Sequence, residues 1–249
     1  MSVPAHWNGR RRVVSAPDHE LSLKATPFGL ASTRRVVHLL STPDRLRLRG
    51  VATRLRLPAR KTVYREASTA DWLFLVADGV VKTVRALPSG KRRVMSFVFA
   101  GDVFGLAECG RYVNSAQTVT PVALYRIRVD QLMDMLRYDA SLELQFLTKV
   151  THELREAQRH TIVLSRRDAV GRLAMFLYML DERERPPNGG SHIQIPMSRS
   201  DTASFLGLSL DAVTRAARRL EHSGLVAFDG THTARILNRR RFEALASAV

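Results

Sequence analysis

The sequence is poor in cysteine and contains no long hydrophobic run. Its single cysteine, Cys109, excludes an intramolecular disulfide and a thiol cluster for zinc or iron–sulfur. One of the most apolar stretches, residues 174–180, is far shorter than the roughly 20 residues that a membrane span requires. The basic N-terminus is not followed by the apolar segment of a signal peptide. We therefore expect a cytoplasmic protein with no membrane partner.

Acidic residues are also scarce. The 23 Asp and Glu are outnumbered by 39 Lys and Arg, which gives a net charge of +16 and a pI near 11.2. This excess favours a polyanionic partner, because Lys and Arg that neutralise phosphates release condensed counterions. Residues 1–70 hold 14 of the basic and only 4 of the acidic residues. This part of the chain could contact phosphates or could only keep a flexible arm soluble.

The N-terminal half changes character along its length. Residues 1–30 contain three prolines and an arginine run without apolar periodicity, so we predict a flexible basic extension. Residues 71–104 instead show short alternating or β-branched runs separated by glycines. Within them, residues 80–85 and 94–99 flank a Pro-Ser-Gly turn and predict a β-hairpin. We assign residues 31–136 to a β-rich domain.

Helical periodicity follows. Residues 138–164 predict a helix about 40 Å long with an apolar stripe at nearly heptad spacing. Such a stripe is suited to pairing with a second copy of the chain, although it could also pack only on its own β domain. We assign residues 137–165 to a dimerisation helix, followed by a further amphipathic helix over residues 168–183. The predicted dimer contacts are Leu142, Phe146, Val150 and Leu154.

The most informative segment is residues 197–230. Ser198 is placed to cap a short helix, Gly207 permits a tight turn, and Ser209 is placed to cap a second helix beginning at Leu210. This spacing is that of a helix-turn-helix. Two apolar runs around an Asp-Gly turn then predict a second hairpin, or wing. The spacing, the glycine, both caps and the wing therefore agree on a DNA-binding unit.

The second of these helices has two kinds of face. Its apolar stripe is expected to be buried and consists of Val213, Ala216, Ala217 and Leu220. The side chains that point elsewhere, and that could contact DNA, are Asp211, Thr214, Arg215 and Arg218.

With these segments in hand, residues 35–245 resemble the Crp/Fnr superfamily of transcription regulators. Its members join a β-roll, a long dimerisation helix and a winged helix-turn-helix in this order. The resemblance implies an α+β fold, with a cyclic-nucleotide-binding-like jelly roll over residues 31–136 and a winged helix-turn-helix over residues 166–249. Three segments are similar to the FixK-like branch, namely residues 77–82, 87–93 and 99–106.

The resemblance also implies roles in DNA binding. The Fnr and FixK branches carry Glu-x-x-Ser-Arg on the recognition helix, where this chain has Asp211, Thr214 and Arg215. Arg215 would then donate to guanine O6 and N7, and the carboxylate of Asp211 would accept from a base amine such as cytosine N4. Thr214 could use its methyl group against thymine or its hydroxyl as a donor. The residues implied to bind phosphates are Ser198, Arg199 and Ser209, with Arg218 beside them.

The ligand signatures of the family are missing. Cyclic-AMP binders carry a glutamate and an Arg-Ser/Thr-Ala triplet where this chain has Leu106 and residues 114–116, Asn-Ser-Ala. An Fnr-type cluster needs four cysteines. We therefore expect neither cyclic AMP nor iron–sulfur control, no metal site, and no resident cofactor, with haem left open. Cys109 could be redox-active but is expected to be a buried structural residue, and His152 and His160 are expected to be solvated.

Three functions follow from this reading. The favoured one is a homodimeric, FixK-like activator that binds double-stranded DNA and RNA polymerase. The second is a regulator of the same fold that holds haem or another small molecule, in which case the purified protein would carry a chromophore or nucleotide. The third is an enzyme, which we do not expect, because the sequence has no phosphate-binding loop, metal-ligand cluster or nucleophile elbow.

Overall fold

The computed structural model describes residues 20–26, 36–105, 107–166, 168–184 and 192–247. The first half is built mostly of strands. Its elements are β1 (Lys24–Ala25), β2 (Val37–His38), α1 (Thr42–Val51), β3 (Thr53–Leu57), β4 (Thr62–Tyr64), β5 (Trp72–Asp78), β6 (Val81–Ala86), β7 (Arg92–Val98), β8 (Val103–Phe104), β9 (Ala107–Glu108), β10 (Arg111–Tyr112), β11 (Ser115–Thr118), β12 (Val122–Arg128) and α2 (Val129–Arg137).

The second half is mostly helical. Its elements are α3 (Ala140–Ser165), α4 (Ala169–Glu184), β13 (His192–Gln194), α5 (Arg199–Leu206), α6 (Leu210–His222), β14 (Val226–Asp229), β15 (Thr233–Ile236) and α7 (Arg239–Ser247). The α+β fold class predicted from the sequence is therefore correct.

The strands form a β-roll of two four-stranded antiparallel sheets, with orders β4-β11-β6-β7 and β3-β12-β5-β8. The predicted hairpin is present, since β6 pairs with β7 from Val81 opposite Val98 to Ala86 opposite Arg92. Alternating side chains of both sheets meet in one core. Four aromatic rings occupy its centre, those of Tyr64, Phe74, Phe104 and Tyr112.

A second core lies on the other face of the β12 sheet and includes part of the N-terminal region. Leu21, Leu23 and Ala25 are buried, and β1 pairs with β2. The prediction of a flexible extension to residue 30 was therefore wrong for residues 20–26, because their alternating apolar side chains are buried against the β-roll. The remaining residues of that extension, 1–19 and 27–30, lie outside the described residues, as do Leu106 and residues 185–191.

Helix α3 begins at the cap Asp139, whose side chain accepts from Leu142 N at 2.9 Å. Leu142 and Phe146 are buried against the β-roll, so their assignment to a dimer interface was wrong. The outward residues are Val150 and Leu154, which are 54% and 59% exposed. The predicted stripe has four-residue steps, and each step rotates about 40° around a helix of 3.6 residues per turn. It therefore begins on the inner face and ends on the outer one.

The C-terminal unit packs α4, α5, α6 and α7 with a three-stranded sheet of order β13-β15-β14. The predicted wing is present, since β14 pairs with β15 from Val226 opposite Ile236 to Asp229 opposite Thr233. The turn residue Gly230 has a φ of +67°, a conformation that glycine adopts at little cost.

Helix α5 packs against β7, the edge strand of one β-roll sheet. Ser204 Oγ accepts from Val94 N at 3.0 Å, and Lys82 Nζ lies 2.5 Å from Asp201 Oδ1. The rings of Phe97 and Phe205 tilt against each other at 5.2 Å. The β-roll and the DNA-binding unit are thus joined by apolar, polar and ionic contacts.

His160 on α3 adds to this joint. Its ring stacks on Phe205 at 3.8 Å, and its Nε2 lies 2.8 Å from Phe205 O. Burial lowers the pKa of His160, so the stacked ring is neutral at pH 7. Its expected exposure to solvent was therefore wrong, because α5 covers it.

A buried charge cluster joins α3 to the loop after β7. Lys149 Nζ donates to Lys24 O and to Asp102 Oδ1, both at 2.7 Å, and Asp102 also accepts from Arg183 of α4. Lys149 is fully buried and its Nζ also lies 2.7 Å from Glu153 Oε1, so removing its charge would leave two carboxylates beside the single charge of Arg183. His152, one turn along α3, is buried beside the cluster and its Nδ1 accepts from Thr26 N at 3.4 Å, contrary to the expected solvated position.

Candidate nucleic-acid interface

The two helices of the helix-turn-helix are capped as predicted. Ser198 Oγ accepts from Asp201 N at the start of α5, and Ser209 Oγ accepts from Ala212 N at the start of α6, both at 3.1 Å. Between them Gly207 has a φ of +63°, which closes α5 in a left-handed conformation. The turn aims the amino end of α6 into solvent.

The two faces of α6 are as the sequence predicts. Its apolar stripe is buried in the core of the DNA-binding unit, and consists of Val213, Ala216, Ala217 and Leu220. On the other side Asp211, Arg215 and Arg218 are exposed and Thr214 is half-buried. These four positions are spaced by three, four and seven residues, which places them on one face. The structure thus brings the three predicted base-reading residues and Arg218 together.

Thr214 has less freedom than its type suggests. Its Oγ1 donates to Leu210 O at 3.0 Å, one turn back along α6. The hydroxyl hydrogen therefore stays on the helix, as is common for threonine in helices. The methyl group and the oxygen lone pairs are what remain for a neighbouring surface.

The charges on this face are not paired with one another. Asp211 and Arg215 are four residues apart, yet within the described part of the chain neither has an ion pair, and nor do Arg199 and Arg218. Asp211 also lies in the first turn of α6, where a carboxylate is stabilised by the helix dipole. The face therefore presents free donors and one free acceptor at fixed spacing.

Three of the four predicted phosphate-binding residues lie at the two amino ends. Ser198 and Arg199 begin α5 and Ser209 precedes α6, and all three are exposed. Helix amino ends carry unsatisfied N–H groups and a partial positive charge, which suits them to anions.

Two arginines that sequence reasoning did not select lie at the turn. Arg172 of α4 donates from Nη1 to Leu206 O at 3.0 Å and holds the carbonyl end of α5. A Cβ added to Gly207 would lie 2.5 Å from Arg93 Nη2, so the guanidinium of β7 covers the turn. No local pattern identifies them, because one is a helical position outside the segment and the other belongs to a distant strand.

Two of the β-roll positions at which the resemblance places nucleotide contacts, Asn114 and Ser115, make internal contacts. Tyr64 OH donates to Asn114 Oδ1 at 3.1 Å, and Ser115 Oγ accepts from Glu66 N at 2.9 Å. Tyr64 stacks on Tyr112 at 3.8 Å, and burial raises the pKa of its phenol. Cys109 is exposed, so the expectation of a buried structural cysteine was wrong, because the residue sits in the turn between β9 and β10.

A cavity of about 450 Å³ lies where α3, α4 and the β-roll meet. Cations and carboxylates share its wall, with Arg155, Arg159, Asp78 and Glu182 among them. Within the described ranges, no group of three or more His, Cys, Asp or Glu side chains is placed to hold a metal ion. Nor is any helix in those ranges both long and apolar enough to span a membrane.

Comparison with known proteins matches both halves. A model of the Crp-like helix-turn-helix domain matches residues 171–245, and one of the cyclic nucleotide-binding domain matches residues 54–139. The chain is 30% identical over 190 residues to the nitrogen fixation regulation protein FixK of Rhizobium meliloti, covering 76% of this chain and 85% of that protein. The chain belongs to the Crp/Fnr family of transcription regulators.

Other Crp/Fnr members support its place in the FixK-like branch. Identity to the transcriptional activatory protein AadR of Rhodopseudomonas palustris is 29% over 212 residues, or 84% of this chain and 87% of that one. The structure of FixK2 from Bradyrhizobium japonicum superposes with a TM-score of 0.73 at 29% identity, covering 80% of this chain and 99% of the other. The protein is thus a DNA-binding transcription regulator and not an enzyme, as the sequence predicts.

Proposed function

We propose that this Crp/Fnr regulator is a cytoplasmic homodimer that reads a palindromic DNA site and activates transcription together with RNA polymerase. The observation that carries the proposal is the exposed face of α6, which presents Asp211, Thr214 and Arg215 directly after the capped amino end of the helix. Activation is supported by relatives whose names describe activators, such as AadR.

Each of these residues has a proposed contact. Arg215 donates to guanine O6 and N7, and Asp211 accepts from cytosine N4. The methyl group of Thr214 faces a thymine methyl, because its hydroxyl hydrogen is held by Leu210 O. Ser198, Arg199, Ser209 and Arg218 bind phosphates and so fix the position of α6 without reading bases.

The dimer is proposed to form through the outer face of α3. Leu147, Val150, Leu154, Ala157 and Thr161 are spaced alternately by three and four residues, as in a coiled-coil seam, and the first three are more than half exposed. Two-fold pairing of such helices would place the two α6 helices in successive major grooves about 34 Å apart.

We further propose that neither cyclic AMP nor an iron–sulfur cluster controls the protein. The four stacked rings inside the β-roll support this, as do the internal contacts of Asn114 and Ser115. The alternative, a small-molecule effector or haem, is favoured by the mixed-charge cavity beside α3. The ultraviolet–visible spectrum and nucleotide content of the purified protein separate the two, because only the second predicts a bound chromophore or metabolite.

The test of DNA reading is selection from a random duplex pool at a stated salt concentration. The full chain is expected to enrich a palindrome with half-site centres one helical turn apart. Arg215→Ala is expected to lose about 1–3 kcal/mol per half-site on that palindrome and to relax one base position. Arg199→Ala is the matched comparison and is expected to weaken specific and random DNA alike.

Two results would contradict the proposal. If the wild-type chain enriches no sequence, it does not bind a palindromic site specifically. Equal losses on specific and random DNA for both variants would remove the distinction between base and phosphate contacts.

A further inference from the structure

Three consecutive cations lie where the hairpin turn leads into β7: Lys91 precedes the strand, and Arg92 and Arg93 begin it. Strand β7 packs against α5. Lys91 and Arg92 are exposed and Arg93 is half-buried. Among the residues that the structure describes, no carboxylate pairs with any of the three. The segment thus carries three positive charges that the protein itself does not neutralise.

The cross-strand neighbours of these cations make the lack of a partner unusual. Arg93 lies directly opposite Arg85 in the β6–β7 register, an arrangement of like charges that destabilises a hairpin. Arg85 is compensated, since its Nε lies 3.6 Å from Glu66 Oε1. Arg93 has no such partner among the described residues and is repelled by Arg85. An anion bound to Arg93 would reduce this repulsion.

The position of Arg93 relates the segment to DNA. Its Nη2 is 2.5 Å from the point where a Cβ on Gly207 would lie, so the guanidinium sits over the exposed turn of the helix-turn-helix. Ser209, the proposed phosphate contact at the amino end of α6, is two residues further on. Its Cα therefore lies within about 7.6 Å of that of Gly207.

The contacts between α5 and β7 keep this placement. Val94 N donates to Ser204 Oγ, and Lys82 is paired with Asp201; both contacts lie further from the hairpin turn than the three cations. A duplex that fills its major groove with α6 would run one backbone past the turn, and a single backbone carries one charge per about 3.4 Å of helix axis. The hairpin would meet that backbone without moving relative to α5.

We infer that Lys91, Arg92 and Arg93 form a second phosphate-binding site, through which the β-roll holds the DNA backbone beside the recognition helix. The inference rests on the proposed function, since it needs α6 in the major groove. It assigns part of the DNA interface to the β-roll as well as to the helix-turn-helix. Arg93 supplies the contact nearest the half-site, and Lys91 and Arg92 extend it outward along the hairpin.

The test measures the affinity of the full chain for its selected palindrome over a series of salt concentrations. Each lost phosphate contact lowers the slope of log Kobs against log salt by about 0.9 in magnitude, so Arg93→Gln in both subunits lowers it by about 1.8. Arg93→Lys keeps the charge and is expected to retain the wild-type slope. Arg56→Gln removes an exposed cation from β3 of the other sheet and is expected to change nothing.

Three outcomes overturn the inference. A wild-type slope for Arg93→Gln shows that Arg93 touches no phosphate. Equal defects in Arg93→Lys and Arg93→Gln show that the side chain acts by its shape over Gly207. An equal loss in Arg56→Gln shows a general charge effect. All three require a wild-type chain that selects a palindrome, whereas failure of that selection removes the proposed function and this inference with it.

Discussion

Two residues of the β-roll, Arg60 and Ala67, have a φ of +63° although neither is glycine. A left-handed conformation costs a residue with a Cβ about 1–2 kcal/mol, and substitution by glycine removes this cost. Part of the gain in stability is lost again, because glycine has more conformational freedom in the unfolded chain. Ala67→Gly is therefore expected to stabilise the protein by about 0.5–1 kcal/mol.

Thermal unfolding checks this expectation. The melting temperature of Ala67→Gly should rise by roughly 1–4 °C for a chain of this size. Ala59→Gly is the matched control, because Ala59 is a neighbouring turn residue without a positive φ, and its melting temperature should fall or stay unchanged. A lower melting temperature for Ala67→Gly would show that the turn carries no strain.

Single residues were predictable where their role is local. The caps Ser198 and Ser209 and the turn residue Gly207 were identified from spacing alone, because a cap depends on groups two or three residues away. The burial of His152 and His160 and the exposure of Cys109 were not, because they depend on which distant element covers the side chain. Arg93 was missed for the same reason.

At the scale of the element, α3 has two apolar faces with different partners. Leu154→Asp, on the outer face, is expected to dissociate the proposed homodimer while the monomer stays folded, because a charge at an apolar seam cannot be paired there. Leu142→Ala, on the inner face, is expected to cost about 2–5 kcal/mol of stability by leaving a cavity in the β-roll core.

Sedimentation and chemical denaturation separate these effects. Leu154→Asp should sediment as a monomer, with denaturation no longer dependent on protein concentration, and Leu142→Ala should remain dimeric with an earlier midpoint. A dimeric Leu154→Asp would move the interface away from this helix face. The length of α3 was predictable from periodicity, whereas the division of its faces needed the β-roll in place, since four-residue steps drift around the helix.

At the scale of the whole molecule, the junction of the N-terminal segment, α3 and α4 is sensitive to acid. Burial, and then the charge of Lys149, lower the pKa of His152 to about 4, while Asp102 opposes the shift and Arg183 and Arg155 add to it. A histidine with a lowered folded pKa contributes stability that is full above pH 6.5 and is lost as the pH falls towards 4. Protonation would also remove the acceptor for Thr26 N.

Between pH 7.5 and 5 the wild type should therefore lose about 2 kcal/mol more unfolding free energy than His152→Asn. The variant keeps an acceptor but cannot titrate. The raised pKa of Glu153, about 7 because of its burial and Asp102, acts in the opposite direction but is shared by both chains. His192→Asn, which changes an exposed histidine on β13, should follow the wild type, and parallel curves for all three chains would show that His152 is not the sensitive group.

The order of the two domains was predictable from the sequence, but their contact was not, because the α5–β7 joint pairs residues about 110 positions apart. That joint has a consequence for solubility. Strand β7 is the last strand of its sheet, and an unpaired edge is a template on which other chains add strands. Helix α5 packs along this edge and Ser204 Oγ accepts from Val94 N, so we expect the DNA-binding unit also to protect the β-roll from aggregation. Proteolysis between the two units would therefore have two effects. It would end DNA binding, and it would expose the edge of β7 to pairing with strands of other chains.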